Sequence, residues 1–125
     1  MAAFNFLPDN EVGFLDWQIV RRGNWSVDIG YFLQGALTIE DRRTSERDIL
    51  NEYRMALELS SDERPSEEEV ILRYRASASH GLALWLSTLS APGWQRREVS
   101  LSLAQRYSAA FVDLEKRSAV EAICT

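Results

Sequence analysis

The chain begins with short apolar runs and continues in long amphipathic ones. Phe4-Asn5-Phe6-Leu7 and Val12 to Asp16 flank Pro8-Asp9-Asn10. Proline pre-sets one turn torsion, and Asp or Asn supplies local hydrogen bonds and tolerates left-handed geometry, so this order predicts a β-hairpin over about residues 3–16. An isolated two-stranded hairpin is marginal in water and needs an apolar surface to lie on. From Val27 the period becomes helical, with Ile29, Phe32, Leu33 and Ala36 on one face of a helix over about 27–37. Thr38, with Glu40 and Asp41 in the first turn, starts a second helix running to about 59. Ile49, Leu50, Tyr53, Ala56 and Leu57 form its apolar stripe, and Arg42, Arg43, Glu46, Arg47, Asp48 and Glu52 read as its solvated face.

Ser60 to Pro65 is a linker of turn formers and charge. Ser66 with Glu69 three residues on has capping-box spacing, in which each side chain satisfies an orphan backbone donor of the other. The helix it opens, about 66–90, carries Val70, Ile71, Tyr74, Ala78, Leu82, Trp85 and Leu86 at spacings near three and four. Its second half, Gly81 to Leu89, is the more apolar and is expected to be the most buried stretch. Ala91-Pro92-Gly93 stops it, and a last helix is expected over about 97–121, with no internal Gly or Pro to break it. Strands followed by helices give an α+β, mostly α fold, read as a single domain over 1–125.

Composition narrows the function. The chain has 125 residues, 46% of them apolar, enough for one modest core. A net charge of −5, with 19 acidic against 14 basic residues, argues against sequence-independent nucleic-acid binding, which needs a basic face. Arg73 and Arg75 read as solvated partners of Glu67 to Glu69. Cys124 is the single cysteine, so no intrachain disulfide and no cysteine-rich metal site can form. No apolar run reaches the ~18 residues of a membrane span, and the first residues lack the basic and long apolar regions of a signal peptide. A soluble, cytoplasmic protein with no nucleic-acid or membrane partner is the resulting expectation.

One stretch carries candidate chemistry. The apolar run of Val12 to Leu15 ends in Asp16, a loop with Gly23 and Asn24 follows, and Asp28 lies in the next helical segment. A carboxylate at a strand end beside an open loop suits a hard cation such as Mg²⁺, which prefers oxygen ligands and keeps several waters. Acids at strand ends are common, and from spacing alone the same residue reads first as the acid that ends a strand and caps a turn.

The run Gly13-Phe14-Leu15-Asp16-Trp17-Gln18, with Asp28-Ile29-Gly30-Tyr31-Phe32-Leu33 after it, resembles the aminoglycoside phosphotransferase superfamily, and most closely its ecdysteroid kinase-like and choline kinase-like branch. The likeness continues through Asp41-Arg42-Arg43 and Tyr74-Arg75 and covers most of the chain. It implies the C-terminal lobe of a protein kinase-like fold, with ATP and Mg²⁺ as cofactors and a small hydroxylated acceptor. By that resemblance Asp16 matches the acid that holds Mg²⁺ on the nucleotide phosphates, and Asp28 a carboxylate that braces the catalytic loop. The helices after Asp28 would line the acceptor pocket, with Trp17, Tyr74, His80 and Trp85 as its candidate walls.

The likeness also has gaps. The His-Gly-Asp catalytic loop that precedes the hairpin in those enzymes is not in this sequence, nor is a glycine-rich nucleotide loop, and Lys116, the single lysine, lies far along a helix. No catalytic residue is therefore assigned, and whether the chain is an enzyme stays open. The first reading is a phosphotransferase-like lobe truncated before its catalytic loop and inactive alone, with its cofactors implied by resemblance or absent. The second is a non-catalytic binding or interaction module on the same lobe. On either reading the chain would self-associate as a homo-oligomer or pair with a missing N-terminal lobe, because an open hairpin edge and uncovered apolar surface favour association. His80, the single histidine, reads as a packed or partly solvated residue, and Trp94, in a Pro-Gly-Trp turn, as exposed or covering a groove.

Overall fold

The computed structural model describes residues 3–6, 11–15, 22–91 and 93–124. Two strands, β1 (Ala3–Phe6) and β2 (Val12–Leu15), pair antiparallel with Ala3 opposite Leu15 and Phe6 opposite Val12. Five helices follow: α1 (Trp25–Ala36), α2 (Ile39–Ala56), α3 (Glu67–Ser90), α4 (Arg97–Asp113) and α5 (Lys116–Cys124). The architecture is α+β and mostly helical. Among the described residues no helix is long and apolar enough to cross a membrane.

Local chemistry sets the helix starts. Asn24 caps α1 by accepting from Ser26 N at 3.0 Å. Thr38 Oγ1 caps α2 through Asp41 N at 3.1 Å and donates back to the Asp41 carboxylate at 2.7 Å. Ser66 Oγ takes Glu69 N at 3.1 Å and so caps α3. The reciprocal half of the capping box does not form, because the Glu69 carboxylate turns instead to Arg73, one helical turn on, at 2.8 Å. Each such cap contributes about 1 kcal/mol by satisfying a backbone donor that the helix leaves open.

The last helical run divides where the sequence predicts continuity. Glu115 takes φ 45°, a left-handed conformation that costs a non-glycine residue roughly 1 kcal/mol. Its cause comes from outside α4. The Arg75 guanidinium on α3 reaches the carbonyl of Leu114 at 2.8 Å, and it also contacts the Ser118 hydroxyl at 3.0 Å and the Glu115 carboxylate at 3.4 Å. Arg75 thus holds the end of α4 and the start of α5 rather than pairing with Glu67 to Glu69.

α3 lies at the centre, in contact with all four other helices. The core joins Leu33, Leu50, Val70, Tyr74, Ala78, Ala110 and Leu114, with Trp25, Ile29, Leu37, Ile49 and Ile71 packed against it. Burying one such Leu or Val side chain stabilises by about 1.5–3 kcal/mol. The buried part of α3 is its first two-thirds, Val70, Tyr74, Ala78 and Gly81. Its C-terminal part leaves Leu84 and Leu86 exposed, which corrects the expectation that Gly81 to Leu89 is the most buried stretch. High apolar content there is spread around the helix, so much of it faces solvent.

Candidate functional site

Two clusters of polar and aromatic side chains join helices that are distant in sequence. In the first, α1, α3 and α4 meet around tyrosine. The Tyr107 hydroxyl on α4 donates to the Tyr31 carbonyl at 2.7 Å, and Trp85 Nε1 on α3 donates to the Tyr31 hydroxyl at 2.9 Å. His80, five residues before Trp85, meets the Tyr31 ring edge-on with centroids 6.2 Å apart, and Tyr107 lies tilted on Tyr31 at 5.3 Å. Tyr107 is fully buried because two glycines make room. A Cβ on Gly81 would come within 2.1 Å of its ring, and one on Gly35 within 2.5 Å of its hydroxyl. Arg106, the neighbour of Tyr107, donates to the Gly35 carbonyl at 2.7 Å and so closes the C-terminal end of α1. Burial pushes both phenols above their ordinary pKa, Tyr107 the further, so both stay neutral hydrogen-bond donors at neutral pH.

The second cluster is ionic. Arg42 on α2 is 1% exposed. It donates to Glu46 at 2.7 Å and to Asp113 on α4, while the Tyr74 hydroxyl on α3 donates to the same Glu46 oxygen at 2.7 Å. Arg43 binds Asp113 through two nitrogens at 2.8 and 3.0 Å. These bonds from Arg43, with those from Arg42, hold the Asp113 carboxyl below the usual carboxylate range against the opposing effect of burial. The charged residues of α2 are therefore not one solvated face. Arg42 occupies a position of the helical stripe that leads through Glu46 and Ile49 to Leu50, and acids from its own and a facing helix make its burial tolerable.

The sequence-predicted site residues separate as follows. Asp16 and Trp17 lie outside the described residues. Asp28 is exposed in the first turn of α1, where a carboxylate suits the helix dipole. Its charge adds to burial in raising the Tyr53 phenol on α2, and Tyr53 stacks on Trp25 at 5.5 Å. Tyr74 is in the core, 1% exposed and bound to Glu46. His80 and Trp85 come together around Tyr31 on the partly exposed side of α1 and α3. Tyr107 falls in the apolar series of the last helical run, while Tyr31 and Arg42 complete the clusters although periodicity does not single them out. The signal for Tyr31 lies in the Asp28 to Leu33 run itself. Tyr107 and its two glycines are 26 and 72 residues apart, and nothing local couples them.

Among the described residues no group of three or more His, Cys, Asp or Glu side chains could hold a metal ion. What the described clusters can do is donate hydrogen bonds and present aromatic faces. The Tyr31 cluster has His80 at its exposed end. A family model described as "Uncharacterized oxidoreductase dhs-27" (DUF1679) matches residues 12–116. The chain belongs to that family. No curated protein and no solved structure matches it.

Proposed function

We propose that the chain is the helical, C-terminal lobe of a small-molecule-kinase-like phosphotransferase, in which Asp16 takes the Mg²⁺ of a nucleotide and the α1–α3 surface around Tyr31, His80 and Trp85 faces a small hydroxylated acceptor. The observation that carries this reading is the family match over residues 12–116, which starts at the strand leading into Asp16. That family is related to the ecdysteroid kinase-like group. The order of elements, an antiparallel strand pair and then a helical bundle, agrees with it. Mg²⁺ binds through one or two carboxylates together with substrate phosphates, so a single acid such as Asp16 suffices as the protein's share. The family description names an oxidoreductase, and a dinucleotide fold would show a Gly-x-Gly-x-x-Gly turn between a strand and a helix. The six glycines of this chain, at 13, 23, 30, 35, 81 and 93, contain no such run.

The test is calorimetric titration with Mg²⁺ and ATP, alongside Asp16→Ala. Millimolar or tighter binding that the substitution abolishes supports the proposal, and heat that is absent or unchanged in the variant overturns it. The second reading, a non-catalytic module that self-associates, draws on the two-stranded ribbon, neither of whose outer edges has a strand partner among the described residues. A monodisperse monomer at high micromolar concentration, measured by light scattering, would rule it out.

A further inference from the structure

α4 begins without a side chain to cap it. Its N-cap residue is Arg96, which makes no side-chain cap hydrogen bond, and Arg96 N is taken by Gln95 Oε1 at 2.9 Å. The first bond of the helix from this end is Ser100 N to Arg96 O at 3.1 Å. The N–H groups of Arg97, Glu98 and Val99 are left without a partner among the described residues. Helix starts carry positive partial charge that an acid or a capping oxygen usually offsets. Here Arg96 and Arg97 add to it, both exposed and neither in an ion pair among the described residues, against Glu98 in the first turn.

This end of α4 opens onto a recess of about 400 Å³ between it and the end of α3. The loop reaches α4 through Gly93, whose φ of 97° is open to glycine and strained for other residues. Thr88, Ser90, Gln95, Arg97 and Ser100 supply the recess's polar lining, and none of the described lining residues is acidic. The Thr88 and Ser90 hydroxyls are already bonded to the carbonyls of Leu84 and Ser87. Ser100 is not. It is 2% exposed, borders the recess, and its hydroxyl makes no hydrogen bond among the described residues. A hydroxyl in that condition is open to a ligand or to water. The groups left open at this corner are thus three backbone N–H donors, one guanidinium and one hydroxyl.

We infer that the α3–α4 recess binds a phosphate-type oxyanion, held by the N–H groups of residues 97–99, Arg97 and the Ser100 hydroxyl. Free donors at a helix start, reinforced by a guanidinium, are the chemistry that takes such anions. The volume leaves room for an organic substituent on the phosphate. None of this depends on Asp16 or on the proposed kinase-like reading.

The experiment follows the ¹⁵N–¹H resonances of residues 97–100 as sodium phosphate is added at ionic strength held constant with sodium chloride. A saturable shift with a midpoint below about 10 mM is expected. Arg97→Gln, at an exposed position, should weaken it about tenfold. Arg96→Asp places a carboxylate where it can take the free N–H groups, so the phosphate response should disappear while the melting temperature rises. Repeating the titration with glycerol phosphate identifies the source. Tighter binding of the ester assigns the recess to a phosphorylated ligand, and equal or weaker binding assigns it to free phosphate. A response that never saturates, that chloride reproduces, or that survives Arg97→Gln and Arg96→Asp unchanged overturns the inference.

Discussion

α3 is secured on one side by charge and on the other by shape, and the two sides fail differently. Around Arg42 the partners are ions whose pairing offsets the cost of taking them out of water. Around Tyr107 one large ring fills a space that two glycines leave open, and hydrogen bonds fix its orientation. The ionic side responds to pH and to loss of a partner. The aromatic side responds to added volume.

The largest effect should follow Arg42→Ala, which leaves Glu46 with the Tyr74 hydroxyl alone and removes one of the Asp113 contacts. Breaking a buried pair in this way costs about 3–5 kcal/mol, measurable by urea denaturation. Gly81→Ala should come next, at about 1–3 kcal/mol or more, because the new methyl group meets the rigid Tyr107 ring. Gly30→Ala is its control. There the added carbon meets the Ser77 hydroxyl, which can turn away by giving up its bond to the Tyr74 carbonyl, and the better helix propensity of alanine offsets part of that loss. If the two glycine variants lose equal stability, steric fit at Tyr107 is not what separates the two sides.

Tyr107→Phe should lose about 1 kcal/mol, the worth of one hydrogen bond to the Tyr31 carbonyl. It should also alter the alkaline limb. The Tyr107 pKa is raised in the folded protein, so its contribution is complete below the unfolded value of about 10 and is lost as pH climbs beyond it. Asp113 has the opposite sign. Its pKa is lowered on folding, so its contribution is present above the unfolded value of about 4 and fades as pH falls through the folded one. In Asp113→Asn that portion of acid sensitivity should vanish, giving a flatter melting temperature below about pH 4. The smallest change belongs to Arg43→Gln, because solvent screens an exposed partner and its loss should barely move the melting temperature.

Much of the secondary structure was legible because its causes are local. Thr38 and Ser66 sit one residue before helices that they cap, and Leu33, Leu50 and Tyr74 recur at helical spacing. The features that escaped depend on residues far away in the chain. Arg42 looks like a surface charge until Asp113 is brought beside it by α4. The break at Glu115 has no proline or glycine to announce it, because an arginine 40 positions earlier supplies the hydrogen bonds. Ser100 is one more helical serine in sequence, and its open hydroxyl is visible only when the end of α3 is in place. For the candidate site, the adjacency of His80 and Trp85 within one helical run was readable, whereas the partner that unites them, Tyr31, came from another helix.

Since α1, α2, α4 and α5 all lean on α3, none of them can detach without baring a strip of its surface. Amide protons between Tyr74 and Gly81 should then exchange with deuterium last, and only when the whole bundle opens. The ends of the chain should exchange earlier, through smaller openings that leave this central axle untouched.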